Sequence, residues 1–226
     1  MKRRSKRYKE LKEKIENKAY PIDEALKLTK ENSNTKFDAS VEVHVNLGID
    51  SGKGDQQVRG TLTFPHPIGK KIRIACFVGE AKEKEVKEAG ADLVGGESLI
   101  AEIKKTEKTD FDVAVAESSM MRNLAQLGKI LGTKGLMPNP KNETVSDNPA
   151  KIVKELKSGK ISFKADPSGV LHQMIGKVSL DDKKLKENFE ALMEAFRKAK
   201  PEKLKGEYIK SITICSTMGP GIKVKK

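Results

Sequence analysis

Three histidines, two cysteines and a few paired carboxylates are the residues here that could support acid–base, nucleophilic or metal chemistry. Their spacing assembles none of it. His44, His66 and His172 stand apart, no two at metal-ligand spacing, and neither Cys76 nor Cys215 supplies a partner, so no zinc site is expected. Both cysteines interrupt apolar strand-like runs, IRIACFV and ITICS, and are expected to be buried thiols of a reducing compartment. His44 falls on the polar side of an alternating segment and is expected to be solvated. Asp181-Asp182 stands at a helix start, where N-capping accounts for it. GKILGTKG (128–135) breaks the G-x-x-x-x-G-K-[ST] order and follows a helix, and IGKK (68–71) lacks the upstream glycine. VGEAKEKE, after a strand, has no G-x-G-x-x-G. A nucleotide-using enzyme is disfavoured, and neither catalytic residues nor a cofactor or metal are expected.

Other stretches suit binding without chemistry. TMGPG (217–221) crowds backbone-special residues behind an unbranched Met, as a turn or as a contact surface. TKFDAS (35–40) puts Lys36 beside Phe37, an aromatic that could meet a base or plug the core. ADPSGVLH (165–172) offers Asp166, Ser168, Gly169 and His172, either an ordinary hairpin turn or exposed backbone and short polar groups for 2′-hydroxyls and phosphates. GTKGLMPNPK sits in a long loop (132–149), functional or a rigid domain-closing segment.

The elements that must position these stretches follow from periodicity. Lys2, Arg3, Arg4, Lys6, Arg7 and Lys9 form a basic arm before the first acid, with a helix expected to follow through Glu16. It lacks an apolar h-region, so it does not resemble a secretory signal, and no run suits a membrane span. Pro21-Ile22-Asp23-Glu24 opens a helix to about Asn32. SVEVHVNLGID (40–50) alternates, with Val41, Val43, Val45, Leu47 and Ile49 on one face, and VRGTLTF (58–64) is the expected antiparallel partner. Strands and helices then alternate: strands at 71–78, ADLVGG and 111–117; helices at 80–90, ESLIAEIKKTE, 118–132 and 150–159. That pattern predicts βαβ units and a parallel sheet. Residues 160–179 read as two strands around Pro-Ser-Gly. Residues 180–200 are a helix with Leu185, Phe189, Leu192, Met193 and Phe196 on one face, and 208–216 is a final strand.

The simplest architecture is an α+β split domain, antiparallel sheet with packed helices, built from residues 1–67 and 160–226 and carrying an inserted α/β domain, 68–159. Net charge is +13. The split domain holds 29 Lys and Arg against 18 Asp and Glu, the insert 16 against 14, so +11 lies on one domain and +2 on the other. That asymmetry is the footprint a nucleic-acid face leaves, although solvated helix surfaces also carry lysines.

VNLGID…QQVRGTLTFPHPIGK (45–70), LGKILGTKGLMPNPK…TV (127–145) and TMGPG (217–221) together resemble the L-one family of large-subunit ribosomal proteins, and KRYKEL, DPSGVLH and the length resemble its bacterial type. The resemblance covers almost the whole chain. It implies a split RNA-binding domain with an inserted three-layer Rossmann-like domain. It implies a cytoplasmic, ribosome-associated protein, monomeric when free, bound to large-subunit rRNA in the mobile side stalk. There it would assist release of deacylated tRNA from the exit site, and it would repress its own operon by binding the mRNA. Residue by residue it implies an RNA face of Thr217, Met218 and Gly219, with Ser211 on the strand leading in. Lys36, Phe37 and Ser40 would stand at the first-strand edge, and Asp166, Ser168, Gly169 and His172 at the later turn. Arg3, Arg4 and Lys6 would add phosphate contacts. Ser40 and Ser168 stand where the family often has Thr. A non-ribosomal RNA-binding repressor or chaperone of similar build is the alternative.

Overall fold

The computed structural model describes residues 5–226 except 51, 54, 55, 70, 71, 203 and 205. Arg3 and Arg4, part of the SGKGDQQ loop and the start of the strand expected from Lys71 therefore lie outside the described residues. Contacts divide the chain into two compact units, Met1–Gly69 with Ser162–Lys226, and Lys70–Ile161. Among the described residues no helix is long and apolar enough to cross a membrane.

The first helix, α1 (Lys6–Glu13), starts earlier than expected because the Ser5 hydroxyl accepts the Tyr8 N–H and caps it, and it ends short of Glu16. Lys6, Arg7 and Lys9 are thus helical. Helix α2 (Ile22–Glu31) follows Pro21, with Asp23 and Glu24 in its first turn. Strand β1 (Ser40–Leu47) buries Val41, Val43, Val45 and Leu47, every second residue. Strand β2 (Arg59–Thr63) follows.

The second unit runs β3 (Ile74–Phe77), a 3₁₀ turn Glu80–Lys82, α3 (Glu83–Glu88), β4 (Leu93–Gly95), α4 (Glu97–Thr106) and β5 (Val113–Ala116). The sheet is parallel in the order β4-β3-β5. Strand β3 is apolar throughout because both its faces are covered. Ile74 and Cys76 sit in a core with Val86, Val115, Val153 and Leu156, and Ala75 and Phe77 in another with Ile100, Ile103, Leu124, Leu127 and Leu131. The single helix expected over 118–132 is broken into a 3₁₀ turn Ser118–Met120, α5 (Met121–Leu124), a 3₁₀ turn Ala125–Leu127 and α6 (Gly128–Thr133). Leu124, Leu127 and Leu131 are all buried despite the break, since their i, i+3, i+7 spacing puts them on one face. Helix α7 (Pro149–Lys157) is capped by Asn148, which accepts the Lys151 N–H, and Gly159 follows it at φ 106°.

The chain then returns to the first unit through β6 (Lys160–Lys164), β7 (Val170–Lys177), α8 (Asp182–Lys198), β8 (Ile209–Ser216) and β9 (Ile222–Val224). The expected pairing of the first two strands is wrong. Strand β1 lies between β7 and β8 in an antiparallel sheet of order β7-β1-β8-β9, while β2 pairs with β6. The strands flanking Pro-Ser-Gly therefore belong to different sheets. Gly60 makes this pairing close locally: a Cβ there would stand 2.8 Å from the Phe163 ring of β6. Strand β9 was not expected. Ile222 and Val224 are buried, and Ile222 pairs with Ile214. TMGPG is thus the connection of a hairpin, not a strand end. Leu185, Phe189, Leu192, Met193 and Phe196 of α8 are all buried, as their spacing predicts. Helices α2 and α8 touch each other, α2 packs on β8 and β9, and α8 on β7 and β2. Asn188, fully buried in α8, accepts the His66 N–H at 3.1 Å and donates to the carbonyls of His66 (3.1 Å) and Ile175 (2.8 Å).

Candidate nucleic-acid interface

Because β1 buries its valines under helices, its other face is open. Register places Ser40, Glu42, His44 and Asn46 on that face, opposite Lys177, Met174, His172 and Val170 of β7. On the other side stand Cys215, Thr213 and Ser211 of β8. At ~3.3 Å per residue the face is roughly 23 Å long. The sequence-selected residues of the described chain, apart from Lys6 on α1, fall at its two ends and its middle. Arg3 and Arg4 lie outside the described residues.

At one end the C-terminus of β8 is clasped to the start of β1. The Ser40 N–H donates to the Thr217 hydroxyl at 3.0 Å, and that hydroxyl and the Thr217 N–H both donate to the Ser40 carbonyl, at 3.3 and 2.9 Å. The next residue is forced into a turn closed by Gly219 N–H to Ser216 O, 2.8 Å. Met218 takes φ 66° there, where Gly or Asn is usual, and the residue is 67% exposed. Gly219 is needed for clearance rather than for φ, since a Cβ would fall 2.3 Å from the buried Ser216 hydroxyl. The Arg7 guanidinium braces the turn, donating to the carbonyls of Asn34 (2.8 Å) and Met218 (3.4 Å). Phe37 does not plug the core: it is 57% exposed beside exposed Lys36. Lys177 donates to the Ser40 hydroxyl at 3.1 Å and the Asp38 carbonyl at 3.3 Å.

At the other end Asp166 builds its turn. Its Oδ1 accepts the N–H groups of Ser168 (2.9 Å) and Val170 (2.7 Å). Gly169 takes φ 77°, and its carbonyl accepts the Leu47 N–H at 2.9 Å, which locks the turn to β1. Ser168 is left exposed, and Ser211, opposite Asn46, is exposed as well. Asp166 and Gly169 thus shape this end, and Ser168 and Ser211 are exposed on it.

The middle departs from expectation. His44 is not solvated: it is half-buried, its Nδ1 2.7 Å from His172 Nδ1 and its Nε2 3.1 Å from Cys215 Sγ. Burial, then the nearby His172, holds its pKa below the usual histidine range, against the opposing pull of Glu42. Cys215 is half-buried rather than fully buried, and desolvation pushes its thiol up to about 11. Cys76 is fully buried and pushed up to about 12 for the same reason.

In the second unit the crevice at the carboxyl ends of β3 and β5, where a parallel sheet of this order would take a ligand, is crossed by Glu117, which accepts the Gly79 N–H (3.2 Å) and the Lys82 ammonium (2.7 Å). Val145 bridges Ala116 on the outer edge of β5. The Lys82 hydrogen bond holds the Glu117 carboxyl below its usual range.

Arg7 is legible in the sequence only as part of the basic arm and Lys177 not at all, because their roles depend on a helix start and on a cross-strand register. Sequence reasoning also missed the grouping of Glu42, His44 and Cys215. Only the spacing of Glu42 and His44 on one strand face was visible.

Residues 28–220 match the family described as Ribosomal protein L1p/L10e family. The large ribosomal subunit protein uL1 of Mycoplasma capricolum is 50% identical over 222 residues, 98% of each chain. That of Kosmotoga olearia is 48% identical over 225 residues, 99% of this chain and 97% of its own. That of Solibacter usitatus is 44% identical over 219 residues, 97% of this chain and 92% of its own.

Proposed function

The chain belongs to the ribosomal protein L1p/L10e family, and from that premise we propose that it is a structural, non-catalytic component of the large ribosomal subunit. Its first unit binds large-subunit rRNA in the mobile side stalk, and there the protein assists release of deacylated tRNA from the exit site. The same surface binds a similar structure in its own operon mRNA and represses translation. The second unit, a parallel sheet with helices on both faces, serves as a Rossmann-like domain without a nucleotide.

The observation that carries this reading is the end of the open face. An aromatic and a thioether, Phe37 and Met218, stand exposed beside the hydrogen-bonded clasp of Ser40 and Thr217. Exposed large apolar side chains held on rigid backbone suit stacking and close approach to unpaired bases and ribose. Charge supplies the rest. Within the two compact units the first holds 28 Lys and Arg against 18 Asp and Glu and the second 17 against 14. Phosphate neutralisation by the first would give a steep salt dependence. On this reading Thr217 acts mainly by holding Met218 in place, since its hydroxyl is engaged with Ser40, and Ser168, Ser211 and His172 contact the RNA farther along the face.

Co-sedimentation tests it. The chain should travel with large ribosomal subunits through a high-salt gradient, and Phe37→Ala with Met218→Ala should release it. A chain that stays at the top of the gradient while still binding RNA fragments would favour a non-ribosomal repressor instead.

A further inference from the structure

We propose that Glu42, His44 and Cys215 form a binding site for a zinc-type divalent transition metal on the open face of the first unit. Glu42 and His44 are two residues apart on β1 and so project to the same side, and Cys215 is the direct cross-strand partner of Glu42. One carboxylate oxygen, one imidazole nitrogen and the thiol sulfur all lie within 4.8 Å of one another. The separations from His44 Nε2 are 3.1 Å to Cys215 Sγ and 4.0 Å to Glu42 Oε2. Tetrahedral zinc at ordinary bond lengths needs donor separations of about 3.5 Å, so small side-chain rotations close the set.

The surroundings are arranged as they are around ligating histidines. A histidine that binds through one nitrogen normally donates its other N–H to an acceptor, which fixes tautomer and orientation. His44 Nδ1 is 2.7 Å from His172 Nδ1, and His172 Nε2 in turn is 3.7 Å from Asp166 Oδ2. Assigning the Nδ1 proton to His44 leaves its Nε2 lone pair aimed at the Glu42–Cys215 side. On binding, the metal takes the Nε2 lone pair and a Glu42 oxygen, and the Cys215 S–H bond is replaced by an S–metal bond with its proton released to the buffer. Three protein donors leave a fourth position open on the solvent side. The mixed sulfur, nitrogen and oxygen set favours zinc over hard cations, which take oxygen ligands. The site needs no RNA and does not depend on the ribosomal reading.

The test is a cobalt titration of the untagged, reduced chain, followed by absorption. The expected result is one Co²⁺ per chain, with a near-ultraviolet thiolate-to-cobalt band that Zn²⁺ abolishes by displacement. Cys215→Ser should remove the band. His44→Gln and Glu42→Gln should each weaken binding at least tenfold, with circular dichroism unchanged. Absence of the band from the natural chain, its survival in Cys215→Ser, or failure of Zn²⁺ to displace Co²⁺ would overturn the assignment.

Discussion

Met218→Gly separates what the turn contributes to folding from what it offers a partner. Met218 holds φ 66°, a conformation that costs a side-chain-bearing residue roughly 1–2 kcal/mol. Glycine removes that cost but brings about 0.5–1 kcal/mol of extra chain entropy to lose on folding. Because the residue is 67% exposed, little packing is lost with the side chain. Stability should therefore be unchanged or rise by up to ~1 kcal/mol, a few degrees in Tm. Binding should move the other way. Full burial of a Met is worth about 1.5–3 kcal/mol, and about two-thirds of it is available, so roughly 1–2 kcal/mol, or a 5–30-fold loss of RNA affinity, is expected. No charge changes, so the salt slope should stay the same. Thermal unfolding by circular dichroism and filter binding to a large-subunit rRNA fragment at matched salt measure both. A clear drop in Tm would show that the side chain supports the fold, and unchanged affinity would refute its place in the interface.

Asn188→Ala should cost about 2–4 kcal/mol in a denaturant titration, because it strands the His66 N–H and the His66 and Ile175 carbonyls that the buried amide satisfies; a loss under 1 kcal/mol would contradict this. Gly48→Ala should lower Tm by roughly 5–10 °C, since its Cβ would stand 2.1 Å from the backbone oxygen of Glu207, which side-chain rotation cannot move; an unchanged Tm would show that the 207–208 segment yields freely. Alkali should destabilise the fold. Cys76, Cys215 and Tyr208 have folded pKa values raised to about 12, 11 and 12 from 9.0, 9.0 and 10.0. Their contribution is full below about pH 9 and is lost as pH rises through the unfolded and then the folded values. Urea midpoints that stay flat from pH 8 to 10.5 would count against it.

What was legible in the sequence was local. The alternation of Val41, Val43, Val45 and Leu47 gave the buried face of β1, and the spacing from Leu185 to Phe196 gave that of α8, because one residue period decides each. Pairing was not legible. The segment after β1 is too long to impose a hairpin, and the close fit of Gly60 to Phe163 that accompanies the β2–β6 pairing exists only in space. Strand β9 is three residues long and hidden behind Pro220-Gly221, too short for alternation to register. The same blindness to register hid the middle of the site. His44 looks solvated along its own strand, and its neighbours His172 and Cys215 come from strands more than a hundred residues away. Thr217 and Gly219 were legible as unusual residues, but not their division of labour, in which one clasps Ser40, the other clears Ser216, and Met218 bears the strain.

On the reading proposed above, the first unit meets RNA with the open face of its four-stranded sheet. Amide hydrogen exchange of the chain alone and with a large-subunit rRNA fragment measures it most directly. Slowed exchange is expected in 36–42, 166–173 and 211–219, with α2 and α8 unchanged. Slowing confined to those helices, or to residues 70–161, would contradict it.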